Sequence, residues 1–179
     1  ALKGLAFRLN NKLVAFEQFD IEPDILTLGK ALGAGMPIGA LISNKALMTE
    51  FTHDPILGHI TTFGGHPLVA AAANAGLEIL SSEIDLSDVN RKGEAIENLL
   101  QHPQVVEIRR AGMMFAIELE NADKVQQVVE YCQKKGVLSF WFLSCPESFR
   151  IAPPLNISEE EYQFGCKVIV EAFEKLKST

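Results

Sequence analysis

Residues 25–39 constrain the fold of this chain more than any other stretch. Ile25 to Leu28 is an apolar, β-prone run that leads through Gly29 to a single lysine, Lys30. A glycine-rich segment, Gly33-Ala34-Gly35-Met36-Pro37-Ile38-Gly39, follows at once. In α/β proteins a rigid strand aims one side chain in this way, and small residues behind it leave room for a ligand. By itself Lys30 has three readings: a phosphate clamp, an amine nucleophile that forms a Schiff base, or an ordinary surface lysine.

Spacing disposes of the first. A P-loop needs a glycine, four residues, then Gly-Lys-Ser/Thr. Asp24 stands where the first glycine belongs, and Ala31 after the lysine offers no hydroxyl for magnesium. The dinucleotide fingerprint fails as well, because Ile38 occupies its third glycine position.

The Schiff-base reading gains from residues 59–67. There Thr61 and Thr62 precede Gly64-Gly65, and a small-residue helix is predicted over Leu68 to Leu80, buried in the fold. Hydroxyls and free backbone N–H groups near a helix start suit a phosphate ester. A lysine with a separate phosphate cradle is what pyridoxal 5'-phosphate requires: the amine takes the aldehyde carbon and other groups hold the phosphate.

Several separated blocks then occur in a familiar order. Phe16-Glu17, Glu22-Pro23-Asp24-Ile25, the lysine segment, Thr62-Phe63-Gly64-Gly65 and Phe149-Arg150-Ile151-Ala152-Pro153-Pro154-Leu155 resemble the class III PLP-dependent aminotransferases, a group that includes the ornithine and acetylornithine enzymes. The resemblance runs from about Lys12 to the C-terminus. It implies an α/β chain of PLP-dependent transferase fold type I, the aspartate-aminotransferase-like architecture. Residues 1–82 would be a remnant of the PLP-binding large domain, and residues 83–179 the C-terminal α+β small domain. It makes Lys30 the aldimine lysine, catalytic as the proton carrier between substrate Cα and cofactor C4′. That role needs a neutral amine, which burial beside a cationic ring favours. It also makes Thr62, with Thr61 as the weaker candidate, the group reaching the cofactor phosphate of the neighbouring subunit, so that a homodimer shares its active site. Arg150 becomes the residue that grips a substrate carboxylate in a bidentate pair. The substrates implied are a small-molecule amino donor and a 2-oxo acid acceptor.

The match fails at the start. Counting back from Phe16-Glu17, the family's acidic pair falls on Ala1 and Leu2, and its glycines fall on residues such as Ala6, Arg8 and Asn11. The acid that holds the pyridine nitrogen therefore has no counterpart, nor does the earlier half of the family's large domain. The expectation is a truncated chain that is inactive alone and retains the cofactor weakly. Two other readings stay open: an aminomutase or racemase of the same family, and a non-catalytic α/β domain that binds a partner.

Composition narrows the rest. A net charge of −7 with only short basic pairs, Arg109-Arg110 and Lys134-Lys135, disfavours nucleic acid. A hydrophobic share of 47% with charges interspersed describes a globular chain, and no stretch is apolar enough to span a membrane. Cys132, Cys145 and Cys166 form no CxxC pair and read as reduced thiols in a cytoplasmic protein. His53, His59, His66 and His102 match no metal-ligand spacing, so no metal is expected.

Periodicity predicts strands at Ile25–Leu28, Gly39–Ser43, Val105–Arg109, Met113–Leu119, Val137–Leu143 and Phe149–Ile151. Helices are expected over Lys45–Phe51, over Ser87–Leu100, around Val125 to Cys132 until Gly136, and from Ser158 onward. The last carries a capping box, Ser158 with Glu161, ahead of an apolar face of Tyr162, Cys166, Ile169, Phe173 and Leu176. Trp141 reads as core or interface.

Overall fold

The computed structural model describes residues 15–176, and the mismatched residues 1–11 lie outside them. The described chain divides into two compact units, one ending at Asp85 and the other beginning at Leu86.

In the first unit, β1 (Ile25–Leu28) pairs antiparallel with β2 (Ala40–Ser43), in a register that sets Ile25 opposite Ser43 and Leu28 opposite Ala40. The Ser43 hydroxyl donates to the Asp24 carbonyl at 2.6 Å and pins the start of β1. Asn44 caps α1 (Lys45–Thr49), its side-chain oxygen accepting from the Leu47 N–H at 3.0 Å. A 3-10 turn over Glu50–Thr52 ends that segment.

α2 (Pro67–Ser82) forms where the alanine-rich run predicts a helix, but it is not a buried one. Only Ala73 is buried, while Leu68 and Ile79 are 61% and 48% exposed. A two-stranded sheet is too narrow to cover a 16-residue helix, so most of its apolar surface has no neighbour within this unit. It runs close to the lysine turn at Gly76, where an added Cβ would come within 2.8 Å of the Ala34 Cβ.

The second unit holds the core. α3 (Leu86–Leu99), β3 (Val105–Ala111), β4 (Met114–Leu119), α4 (Ala122–Lys134), β5 (Phe140–Phe142), β6 (Cys145–Ile151) and α5 (Glu159–Glu174) follow in sequence. The strands form an antiparallel sheet in the order β3-β4-β6-β5. Alternation along β4 and β6 sends Phe115, Ile117, Phe149 and Ile151 to one face, where Val125, Val128 and Cys132 of α4 and Ile169 and Phe173 of α5 complete one apolar cluster. In α3, Val89 and Ile96 join it, whereas Leu99 turns out to solvent.

Two strand predictions change. Of Val137–Leu143 only Phe140–Phe142 pairs, because the chain is still leaving α4: the Val137 N–H donates to the Cys132 carbonyl at 2.8 Å, and Leu138 is 78% exposed. The strand expected at Phe149–Ile151 begins earlier, at Cys145. Pro146 is tolerated there because the β4 ladder covers only Ser148 to Ile151, leaving no hydrogen bond for it to break on that side. Trp141 is half exposed and lies beside Ala122, Val125 and Pro146 rather than in the core.

The capping box is present as read. The Ser158 hydroxyl accepts from the Glu161 N–H, and the Glu161 carboxylate accepts from the Ser158 N–H at 2.9 Å. Hydrogen bonds from the Ser158 backbone, then from its hydroxyl, hold the Glu161 carboxyl below its ordinary range. That contribution is present above the ordinary carboxylate range and is lost as the pH falls through the lowered value. Ser158→Ala is expected to cost about 1 kcal/mol in denaturant unfolding at neutral pH, and less at pH 3.

Candidate active site

Lys30 follows β1 after Gly29 and opens a 3-10 turn, Lys30–Gly33. Its φ of +53° lies in the left-handed region, and Ala34 and Gly35 follow at +47° and +98°. A non-glycine residue held there costs about 1–2 kcal/mol, a strain that collects at ligand-holding turns. The chain thereby doubles back: Lys30, Gly35, Met36, Pro37, Ile38 and Gly39 line an open concavity. Gly33 has little room for anything larger, since an added Cβ would lie 3.1 Å from Ile38 Cγ2. Lys30 itself is exposed, so the burial expected around its amine is not supplied by the described residues of its unit.

Thr61 and Thr62 stand in the turn before α2, both exposed. The Gly64 N–H donates to the Thr61 carbonyl at 3.2 Å, and Gly65 takes φ +70° to reverse the chain. An added Cβ on Gly64 would sit 2.7 Å from Thr61 Oγ1, so a larger residue there would turn that hydroxyl aside. At the helix start His66 supplies no side-chain cap and Pro67 has no N–H. The exposed hydroxyls, together with the N–H groups of the first turn, give this loop the donors an anion needs.

Arg150 belongs to the second unit, on the sheet face that carries none of the core residues. Reading across the strands, Arg109, Ala116, Arg150 and Phe140 stand opposite one another in a single row. Arg150 is exposed, and its side chain has no hydrogen-bond partner among the described residues.

The sequence reading treated Arg109-Arg110 as one basic pair, but alternation separates them. Arg110 points to the helix side and bonds Glu97 at 2.7 Å and Asn90 at 3.0 Å. Arg109 lies on the Arg150 side, where Nη1 donates to Glu107 and, at 2.5 Å, to Glu118, while Nη2 donates to Ser148 Oγ at 3.0 Å. Hydrogen bonds that it donates first to Glu118 and then to Glu107 hold its guanidinium even more firmly protonated than usual. The period-two pattern of Glu107 and Arg109, and of Ala116 and Glu118, was the available signal for this shared face.

The cysteines are unpaired. Burial pushes the thiols of Cys132 and Cys166 up to about 11, and Cys145 Sγ lies 3.4 Å from Ser148 Oγ. Among the described residues no group of three His, Cys, Asp or Glu side chains is placed to hold a metal, and no helix is long and apolar enough to cross a membrane.

This chain belongs to the class III aminotransferases, whose family model matches residues 10–173. It is 37% identical over 166 residues to the acetylornithine aminotransferase of Haemophilus ducreyi, covering 92% of this chain and 40% of that protein. With ornithine aminotransferase 1 of Staphylococcus saprophyticus it shares 36% identity over 175 residues, covering 92% and 41%. Among solved structures it superposes on a Bacillus anthracis aminotransferase with a TM-score of 0.84 at 29% identity, covering 97% of this chain and 43% of that one. The ornithine aminotransferase of Toxoplasma gondii gives a TM-score of 0.82 at 31% identity, covering 96% and 41%. The chain thus spans about two fifths of the length of these relatives and holds part of their PLP-dependent fold type I.

Proposed function

We propose that this chain carries the lysine-bearing and carboxylate-binding portions of a PLP-dependent aminotransferase that moves an amino group from an amine or amino acid to a 2-oxo acid. The observation that carries the reading is Lys30, set by β1 on a left-handed turn beside its own concavity, within a family match that includes it. Residues 1–82 act as part of the cofactor-binding domain and residues 83–179 as the small domain. The protein works in the cytoplasm as a homodimer with a shared site, and the three unpaired thiols agree with a reducing compartment.

The residues present fit two ends of the cofactor. Lys30 would hold the aldehyde carbon covalently. The Thr62 hydroxyl and N–H, aided by Thr61, would donate to the phosphate of the neighbouring subunit. When bound, pyridoxal phosphate supplies an electron sink for the pair left on the substrate Cα. Lys30 Nζ would take the proton from that carbon and deliver it to C4′ of the cofactor, which an amine on a short, fixed turn can do for two nearby atoms. Arg150 orients the substrate by pairing its planar guanidinium with a carboxylate.

Incubation of the 179-residue chain with pyridoxal phosphate, followed by borohydride reduction and peptide mapping, tests this reading. A reduced pyridoxyl adduct concentrated on Lys30 supports it; labelling spread evenly over the lysines supports a non-catalytic binding domain. Because the chain spans two fifths of its relatives, it is expected to show little or no transaminase turnover alone. Rates in the ordinary enzyme range of about 1–1,000 per second would refute that division of the site.

A further inference from the structure

Arg150 can bind an incoming carboxylate only while it stays free of carboxylates of its own sheet, and one is close. The register sets Glu118 opposite Ser148 and Ala116 opposite Arg150, so Glu118 and Arg150 are diagonal neighbours on one face. Diagonal Cα atoms across an antiparallel pair lie about 7–8 Å apart, within easy reach for side chains as long as Glu and Arg. Even so, Glu118 bonds Arg109 and leaves Arg150 unpaired. Arg109 starts two strands, roughly 10 Å, from Arg150 and leans the other way, over the neighbouring row of Glu107, Glu118 and Ser148. The surface between the two arginines is left to Ala116, whose methyl group fills almost none of it, and Phe140 closes the row on the far side.

We propose that Arg109 is a positioning residue for carboxylate binding: by holding Glu118 and Glu107 it keeps Arg150 open, and Ala116 and Phe140 shape a notch for a carboxylate joined to an apolar chain. The inference rests on the reading of Arg150 as the carboxylate-binding residue and adds the device that keeps it available. Without Arg109, Glu118 turns to Arg150 and becomes an internal competitor for the same guanidinium. A lysine at position 109 is a poor replacement, because one ammonium on a flexible stem cannot present the planar fork that meets both carboxylates and the Ser148 hydroxyl together.

Glutarate titrations of the isotope-labelled 179-residue chain test this, followed through the Arg150 side-chain N–H signal, which is assigned by its absence in Arg150→Ala. Arg109→Ala is expected to weaken glutarate binding about tenfold, the effect of losing roughly one charge-assisted hydrogen bond to competition. Arg109→Ala with Glu118→Gln is expected to bind nearly as the wild type does. Before any ligand is added, the Arg150 signal should move in Arg109→Ala and return in the double variant, a rescue that a purely structural role would not produce. Wild-type affinity in Arg109→Ala, or a double variant as weak as the single one, overturns the proposal. If Arg150→Ala binds glutarate as tightly as the wild type, or if glutarate leaves the wild-type Arg150 signal unmoved, the carboxylate reading of Arg150 falls and this inference with it. Loss of binding in Arg150→Ala beside intact binding in Arg109→Ala removes only the positioning role.

Discussion

Phe149→Ala is expected to destabilise the second unit by about 3–5 kcal/mol, the loss typical of truncating a fully buried phenylalanine. Phe149 has no exposed surface and sits in β6 between Ile117 of β4 and Trp141 of β5. Its ring meets Phe173 of α5 edge-on, with centroids 6.2 Å apart. Truncation therefore removes the transfer free energy of a phenyl group and one aromatic pair, and leaves a cavity between sheet and helix that the ladders on both sides cannot close. Trp141, the only tryptophan, is in this unit, so its fluorescence during denaturant unfolding reports the relevant transition. A loss below about 1 kcal/mol would mean the sheet relaxes into the space and the core is looser than its burial implies. Leu41→Ala in β2, at a position 45% exposed, should by contrast stay within about 0.5 kcal/mol of the wild type.

Lys30→Ala is expected to abolish the borohydride-fixed pyridoxyl adduct at that position and any cofactor absorbance band that depends on it. The effect should be all-or-none, because among the described residues no other lysine lines the concavity of residues 35–39. Ala31 to Gly33 continue the 3-10 turn, and Gly33 packs on Ile38, so the turn should survive the substitution and the loss should be chemical rather than structural. Peptide mapping of the wild type and the variant, at matched cofactor concentration, measures it. An undiminished band in Lys30→Ala would assign the cofactor amine to another residue and undo the proposed function. A band lost in Lys30→Ala but retained in Arg150→Ala would assign the two residues to separate tasks, cofactor and substrate.

Much of the fold and part of the candidate site was legible in the residues. The strand ending before Lys30, the helix faces of α4 and α5 and the Ser158–Glu161 box all formed where patterning placed them. What escaped depended on partners distant in the chain. The apolar residues of α2 read as core, yet coverage depends on what lies above a helix, and its own unit has too little. Val137 to Ser139 read as strand, yet α4 claims the Val137 N–H first. Arg109 and Arg110 read as one surface pair because adjacency hides the alternation that sends them to opposite faces of the sheet.

The sequence by itself determined the features that close within a few residues. These are the helix caps and helix period, the apolar run that delivers Lys30 and the glycines around its turn. Each depends on local backbone sterics and on hydrogen bonds between near neighbours, which a short window contains in full. Only the tertiary structure decided which side chains share a face. Arg109 meets Glu118 nine residues on and Ser148 thirty-nine residues on, and Arg150 stays unpaired because of those bonds. Strand register sets such meetings, and a slip of one residue would have turned every one of these side chains to the opposite face.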